Sequence, residues 1–168
     1  DKIIIAPMVG FTLLGNFQLG LQFMAILIII PGIFYQYILP QDANGSSTKT
    51  MKKMMVYISV VLTVLSIVLS PIVIPPLFPG FTESIEVIQI MSVSIISSTI
   101  TSTYVSKFLG VTKSKIVICG TGVGLASLIP LLLLLTTTLG INGAALAVVI
   151  SSIIHTIYYV VIDQFYKK

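Results

Sequence analysis

The residues that could do chemistry in this chain are few, and most of them stand inside apolar runs. Asp1-Lys2 directly precedes one such run, Gln18 and Gln22 are one helical turn apart within it, and His155 lies deep in the last run. Gln36 returns to the angular position of Gln18 if the intervening helix stays regular. Catalytic sets are missing from the sequence: there is no Gly-rich phosphate loop, no Cys/His metal set and no His-Glu pair at helical spacing. His155 by itself makes neither a conventional hydrolytic site nor a zinc site. The single Cys119 excludes an internal disulfide and a Cys-based cluster, and it reads as a small buried hydrophobe. The chain is therefore expected to be no enzyme and to need no cofactor and no metal.

Polar side chains inside spanning segments are expensive in lipid, so each of these residues calls for a role. Asp1 and Lys2 come about 12 residues before a turn expected at Gly15-Asn16, which would place them about 18 Å below the outer interface at 1.5 Å per residue. Either they form a charge pair near the middle of the bilayer, or the free end of the chain lies in water. The amides of Gln18 and Gln22 suit sugar hydroxyls across a cavity, and they suit helix-to-helix hydrogen bonds equally well. His155 continues a row of small residues, Gly143, Ala147 and Ser151, at four-residue intervals. Such a row permits close helix approach and favours a packed, hydrogen-bonded histidine over a proton carrier. Gly120 and Gly124 read the same way. The Ser/Thr-dense stretch 92–106 fits either contact with water or tight packing.

The elements that must position these residues are membrane spans. Hydrophobic residues make up 56% of the chain and charged residues 8%, whereas soluble domains carry about 25% charged residues. A mean hydropathy of +1.11 is too apolar for a soluble domain of 168 residues to hide inside itself. Segments 54–75, 84–106, 115–136 and 141–162 each supply the roughly 20 apolar residues needed to cross the hydrocarbon core. They are too long for barrel strands and lack period-two alternation, so they must be helices. Residues 3–39 form one apolar stretch, about 55 Å long as a single straight helix, against a core of about 30 Å. Gly15-Asn16 is the expected break, leaving a short segment 3–14 as the tail of a truncated span and 16–39 as a full span, kinked at Pro31-Gly32. The expectation is an all-α, polytopic membrane protein with about six transmembrane helices, the first truncated, in a single transmembrane domain over 1–168.

Charge placement supports one orientation. Lys49, Lys52 and Lys53 form a basic group, Lys107, Lys113 and Lys115 a second, and Lys167 and Lys168 a third, each separated from the next by two spans. All three then lie on one side, cytoplasmic by the positive-inside rule. The net charge of +4 therefore reports topology rather than nucleic-acid binding. Pro75, Pro76, Pro79 and Gly80 end one helix, and Glu83 and Glu86 suit the first turn of the next, where the helix dipole favours anions. Residues 41–49, with Asn44-Gly45, are expected to be a flexible cytoplasmic loop.

Three stretches carry a family resemblance: Asp1-Lys2-Ile3-Ile4-Ile5 with Gly10 and Leu14-Gly15-Asn16-Phe17-Gln18; Leu77-Phe78-Pro79-Gly80-Phe81; and Gly140-Ile141-Asn142-Gly143-Ala144-Ala145-Leu146-Ala147. Together with Gly110 and Lys113, their order resembles the C-terminal half of polysaccharide or lipid-linked oligosaccharide flippases of the multidrug/oligosaccharidyl-lipid/polysaccharide exporter superfamily. Phe17 stands where Tyr is more usual, and the Pro and Gly of the second stretch are in changed order. The resemblance implies one lobe of a two-lobe transporter that moves a polyprenyl-(pyro)phosphate-linked glycan across the cytoplasmic membrane by alternating access. It implies as partners the bilayer and the N-terminal lobe of the same protein, with the C-terminus cytoplasmic. It also implies Lys2, with Asp1 beside it, as a point charge for phosphate, Gln18 and Gln22 as hydrogen-bond partners on the cavity wall, and His155 in a more peripheral span. Cation-coupled multidrug exporters of the same superfamily are the nearest alternative, and a non-transporting polytopic membrane protein is the next.

The basic groups make the topology testable. Cysteines placed at Lys52, Lys113 and Lys167 should be labelled from the cytoplasmic side of whole cells and those at Thr82 and Thr138 from the outside; labelling of positions 52 and 82 from the same side would refute the arrangement.

Overall fold

Leu, Ile and Val runs with few breakers leave the backbone one way to satisfy its polar groups in an apolar medium, which is helix. The computed structural model describes residues 2–166, with side chains from residue 13 onward, and among them all regular structure is helical. Four helices follow one another: α1 Lys2–Ala43, α2 Lys49–Leu77, α3 Ser84–Gly110 and α4 Ser114–Tyr166. All four are long and apolar enough to cross a membrane, α1 through its part Leu13–Ala43. The chain is an integral membrane protein by this measure.

The expected break at Gly15-Asn16 is not there. α1 is one helix of 42 residues that runs through both Gly15-Asn16 and Pro31-Gly32, so segments 3–14 and 16–39 are not separate elements. The side chains explain why. A Cβ on Gly15 would stand 3.3 Å from the Phe81 ring, and the Asn16 amide donates to Glu83 at 3.4 Å. These two residues bring the α2–α3 turn against α1 instead of turning the chain.

The opposite holds near the other end of the sequence. α4 has 53 residues, about 80 Å if straight, but Gly140 has φ 60° and ψ −137°, a conformation nearly closed to residues with a Cβ. The chain reverses there. Tyr159 donates to the Val117 carbonyl at 3.1 Å, and Ser151 donates to the Gly124 carbonyl at 2.9 Å. Residues 114–139 and 141–166 therefore form an antiparallel helical hairpin.

The row Gly143, Ala147, Ser151 makes that hairpin close. Gly143 and Ala147 are buried, and a Cβ on Gly143 would overlap the Leu135 carbonyl. In the facing half, Gly120 leaves the notch that Tyr159 fills and Gly124 the notch against His155. Cys119, by contrast, is exposed on the outer face of the hairpin, so it is not the buried hydrophobe expected from its apolar surroundings.

α3 is the centre of the bundle and packs on α1, α2 and α4. Its Ser92, Ser94, Thr99, Thr101 and Ser106 are buried, so the Ser/Thr-dense stretch is packed against protein. The face α2 turns to it carries Ser59, Thr63, Ser66 and Ser70, with Met55 and Ile74 at the ends. Thr63 donates to the Ser92 carbonyl at 3.0 Å, and the Ser92 hydroxyl to Ser66 at 2.7 Å. On its other side α2 exposes Val60, Val61, Val64, Leu65, Val68 and Ile72. Hydroxyls inside and branched aliphatics outside is the reverse of a water-soluble helix, and it fits lipid as the surrounding solvent.

The hairpin gives a sharp test. Gly143→Ala should lower the unfolding free energy in detergent by about 1–3 kcal/mol through overpacking against Leu135, as followed by circular dichroism. Gly122→Ala, where a Cβ would meet nothing within 4 Å, should leave it unchanged.

Candidate functional site

The helix order places the two glutamates at one end of the bundle and the lysines of the 49–53 and 107–115 groups at the other. At one end the α2–α3 turn and the Gly140 turn bring Glu83 and Glu86 together with Asn16 and Asn142. Glu86 lies in the first turn of α3, Glu83 occupies its N-cap without a side-chain capping bond, and Asn142 donates to Glu86 at 2.6 Å. A cavity of about 470 Å³ opens there, lined by Leu13, Thr82, Glu83, Glu86, Leu139, Gly140, Ile141 and Asn142. The Glu pair thus has the helix-end position expected of it and also faces open space.

Beside this cavity α1 presents Gln18 and Gln22. They share a pocket of about 340 Å³ with Gly15, Leu19, Phe78 and Phe81. The Gln18 side-chain oxygen is buried and has no hydrogen-bond partner, while Gln22 is exposed. The exposed Gln22 amide can exchange hydrogen bonds with a hydroxyl while the phenylalanine rings of the same pocket cover the C–H faces of the ligand. The two glutamines are therefore brought together as the sequence suggested. Gln36 is exposed farther down α1.

The partners expected for them are elsewhere. Asp1 lies outside the described residues. Lys2 begins α1, and 16 residues of unbroken helix separate it from Gln18, about 24 Å along the axis. The structure does not bring Lys2 back beside the glutamines, because the turn that would do so is absent.

His155 is half-buried in a small cavity of about 240 Å³ with Thr121, Ser151 and Ser152. Its ring lies 5.2 Å from the Tyr159 ring and against Gly124, and its Nε2 is buried without a partner. It is packed as expected, through its ring rather than through a hydrogen bond at Nε2.

The basic end holds the feature sequence reasoning missed. Asp42 is not part of a flexible loop; it sits in the last turn of α1, and its carboxylate accepts from Lys52 at 2.5 Å, Thr48 at 2.5 Å and Ser106 at 2.6 Å. One side chain thus ties α1, the following turn, α2 and α3. Gly110 allows this, since a Cβ there would meet the Asp42 backbone at 2.8 Å. Lys107 pairs with Asp163, joining α3 to the end of α4, and the Lys113 ammonium lies 3.6 Å from the Tyr166 ring centroid. The first two basic groups therefore share one end of the bundle, as expected; Lys167 and Lys168 lie outside the described residues. The available signal was an acid at the close of an apolar run, ten residues before Lys52.

Among the described residues the architecture is all-helical, with four helices long and apolar enough to cross a membrane. No family model, curated protein or solved structure matches the chain.

The Asp42 contacts predict a mechanical role. Asp42→Ala should destabilise the fold by about 2 kcal/mol, since Lys52, Thr48 and Ser106 lose a charged acceptor together. Hydrogen exchange should rise at the ends of α1 and α3 before it rises at the Gly140 turn.

Proposed function

We propose that this chain is one lobe of a transporter that carries a lipid-linked oligosaccharide or polysaccharide repeat unit across the cytoplasmic membrane. The observation that carries the reading is the pocket of Gln18 and Gln22 with Phe78 and Phe81, set in a bundle whose outer surface is aliphatic. Amides inside a membrane domain are retained where they meet polar cargo or polar partners. Paired amides beside aromatic faces match the alternating hydroxyl and C–H surfaces of a sugar. The sequence resemblance to polysaccharide flippases points the same way.

In this reading the lysine-rich end is cytoplasmic, the Glu83/Glu86 end is outer, and the chain works with a second lobe of similar size by alternating access. A count of six spans belongs to the same proposal and treats residues 3–14 as the tail of a separate span, which the unbroken α1 does not display. Lys2 and Asp1 serve the substrate phosphate only if that separation occurs in the assembled transporter.

One observation favours a second reading. Glu83 and Glu86 border the largest of these cavities, and carboxylates suit a cationic amphiphile, the cargo of a cation-coupled exporter. The two readings separate by mutation in the full-length protein. Gln18→Leu with Gln22→Leu should reduce glycan export about tenfold, the loss of two modest hydrogen bonds, with lipid-linked sugar accumulating inside the cell. Unchanged glycan export in that variant, together with loss of cationic-dye efflux on Glu86→Gln, would favour the exporter instead.

A further inference from the structure

α1 and α2 both lean on α3 and meet each other less closely than either meets α3, which leaves a cleft between them. Its upper part is the glutamine pocket. Immediately below, Phe23 and Leu27 of α1 face Leu62, Leu65, Leu69 and Val73 of α2 across a space of about 250 Å³. Leu19, at the junction, packs with Ile74 and Ile88, and Phe23 packs on the same cluster, so the two spaces follow one another along the same seam. The lower space is a hydrocarbon wall in practice. Ser66 and Ser70 border it, but the Ser66 hydroxyl accepts from Ser92 and the Ser70 hydroxyl donates to the Ile67 carbonyl.

Polarity therefore changes once along the cleft, from amides at the Glu-bearing end to aliphatic carbon below. Its depth matches one leaflet. From Gln18 to Leu27 is nine residues of α1, about 14 Å, close to half of a hydrocarbon core of about 30 Å. Leu62 and Leu65 lie at the middle of α2, where the acyl chains of the two leaflets meet. Charge narrows the occupant further. Among the described residues no lysine lines either space, and the carboxylate beside the upper one, Glu83 on Asn16, repels a phosphate. Gln18 and Gln22 border the upper space with amides, and Phe78 and Phe81 offer flat apolar surfaces beside them.

We propose that the α1–α2 cleft binds an uncharged, sugar-headed lipid of the leaflet at the Glu83/Glu86 end, with its head between Gln18, Gln22 and the two phenylalanines and one chain along Phe23, Leu65 and Leu69. Its head site is the same glutamine and phenylalanine pocket that carries the proposed function, so it rests on that reading and adds to it the chain-binding space below.

The absence of tryptophan from the sequence makes the test clean. Phe23→Trp places a reporter on the cleft wall, and Leu134→Trp places one at similar depth on an exposed face of α4. Each variant is reconstituted in phosphatidylcholine vesicles containing a minor fraction of glucosyl diacylglycerol brominated on its acyl chains. Fluorescence quenching at position 23 should exceed that at position 134 by about threefold, the preference that one hydrogen bond confers, and Gln18→Leu in the Phe23→Trp background should abolish the excess. Brominated phosphatidylcholine and brominated phosphatidylglycerol should show no excess. Equal quenching at the two positions, or an excess that persists in the Gln18→Leu variant, overturns the proposal. An excess for phosphatidylglycerol instead of the glycolipid overturns the uncharged head. Export measured on the same variants is a separate readout, so loss of lipid preference with normal export, or the reverse, tells which of the two readings has failed.

Discussion

Lipid gives the burial of an aliphatic side chain almost no reward, because the surrounding acyl chains are as apolar as leucine. The helices of this chain must therefore hold together by hydrogen bonds, charge and close backbone approach. Four of the helix pairings display these means. α2 and α3 share the hydroxyl seam of Ser59, Thr63, Ser66 and Ser92. α3 and the second half of α4 share the Thr101–Thr156 hydrogen bond and the Lys107–Asp163 pair. The two halves of α4 use missing side chains, at Gly120, Gly124 and Gly143. α1 approaches α3 through Gly20, against Val87, and through Gly110, against Asp42.

The two ends of the bundle differ in what fastens them. Asp42 collects three donors in a tight, short-range cluster, and Lys107 and Asp163 close the same end across to α4. At the other end the contacts are amide to carboxylate, Asn16 to Glu83 and Asn142 to Glu86, around open space. A charge-assisted pair between ions is stronger than one between an amide and an ion. The lysine-rich end is thus fastened by ion pairs and the Glu-bearing end by amide-to-carboxylate hydrogen bonds.

Much of this was readable in the sequence because it depended on local spacing. Apolar runs of spanning length, the lysine groups at alternate connections and the four-residue row from Gly143 to Ser151 each follow from periodicity along one segment. The misreadings arose where a residue's role is set by a distant partner. Gly15-Asn16 has the composition of a turn, but Phe81 and Glu83, more than 60 residues away, use it as a notch and a donor. Asp42 has the surroundings of a loop, yet Ser106 and Lys52 make it a hub. Cys119 sits among apolar neighbours in sequence, but in lipid the apolar positions are the outward ones, so its exposure is the consistent result. The glutamine pair was visible from its spacing; the two phenylalanines that turn it into a pocket come from another connection.

The Gly140 reversal also bears on how the protein reaches its place. The segment at the crest, Thr137-Thr138-Leu139-Gly140, carries no charge, and both threonine hydroxyls donate to carbonyls one turn earlier, in Leu133, Leu134 and Leu135. Its polarity is thus largely cancelled within its own helix. A crest of that kind can be pushed through a membrane at small cost, and Lys113 and Lys115 stand at the other end of the first half of the hairpin. Close approach at Gly120, Gly124 and Gly143 gives the two halves of α4 the features of a unit able to enter a bilayer together.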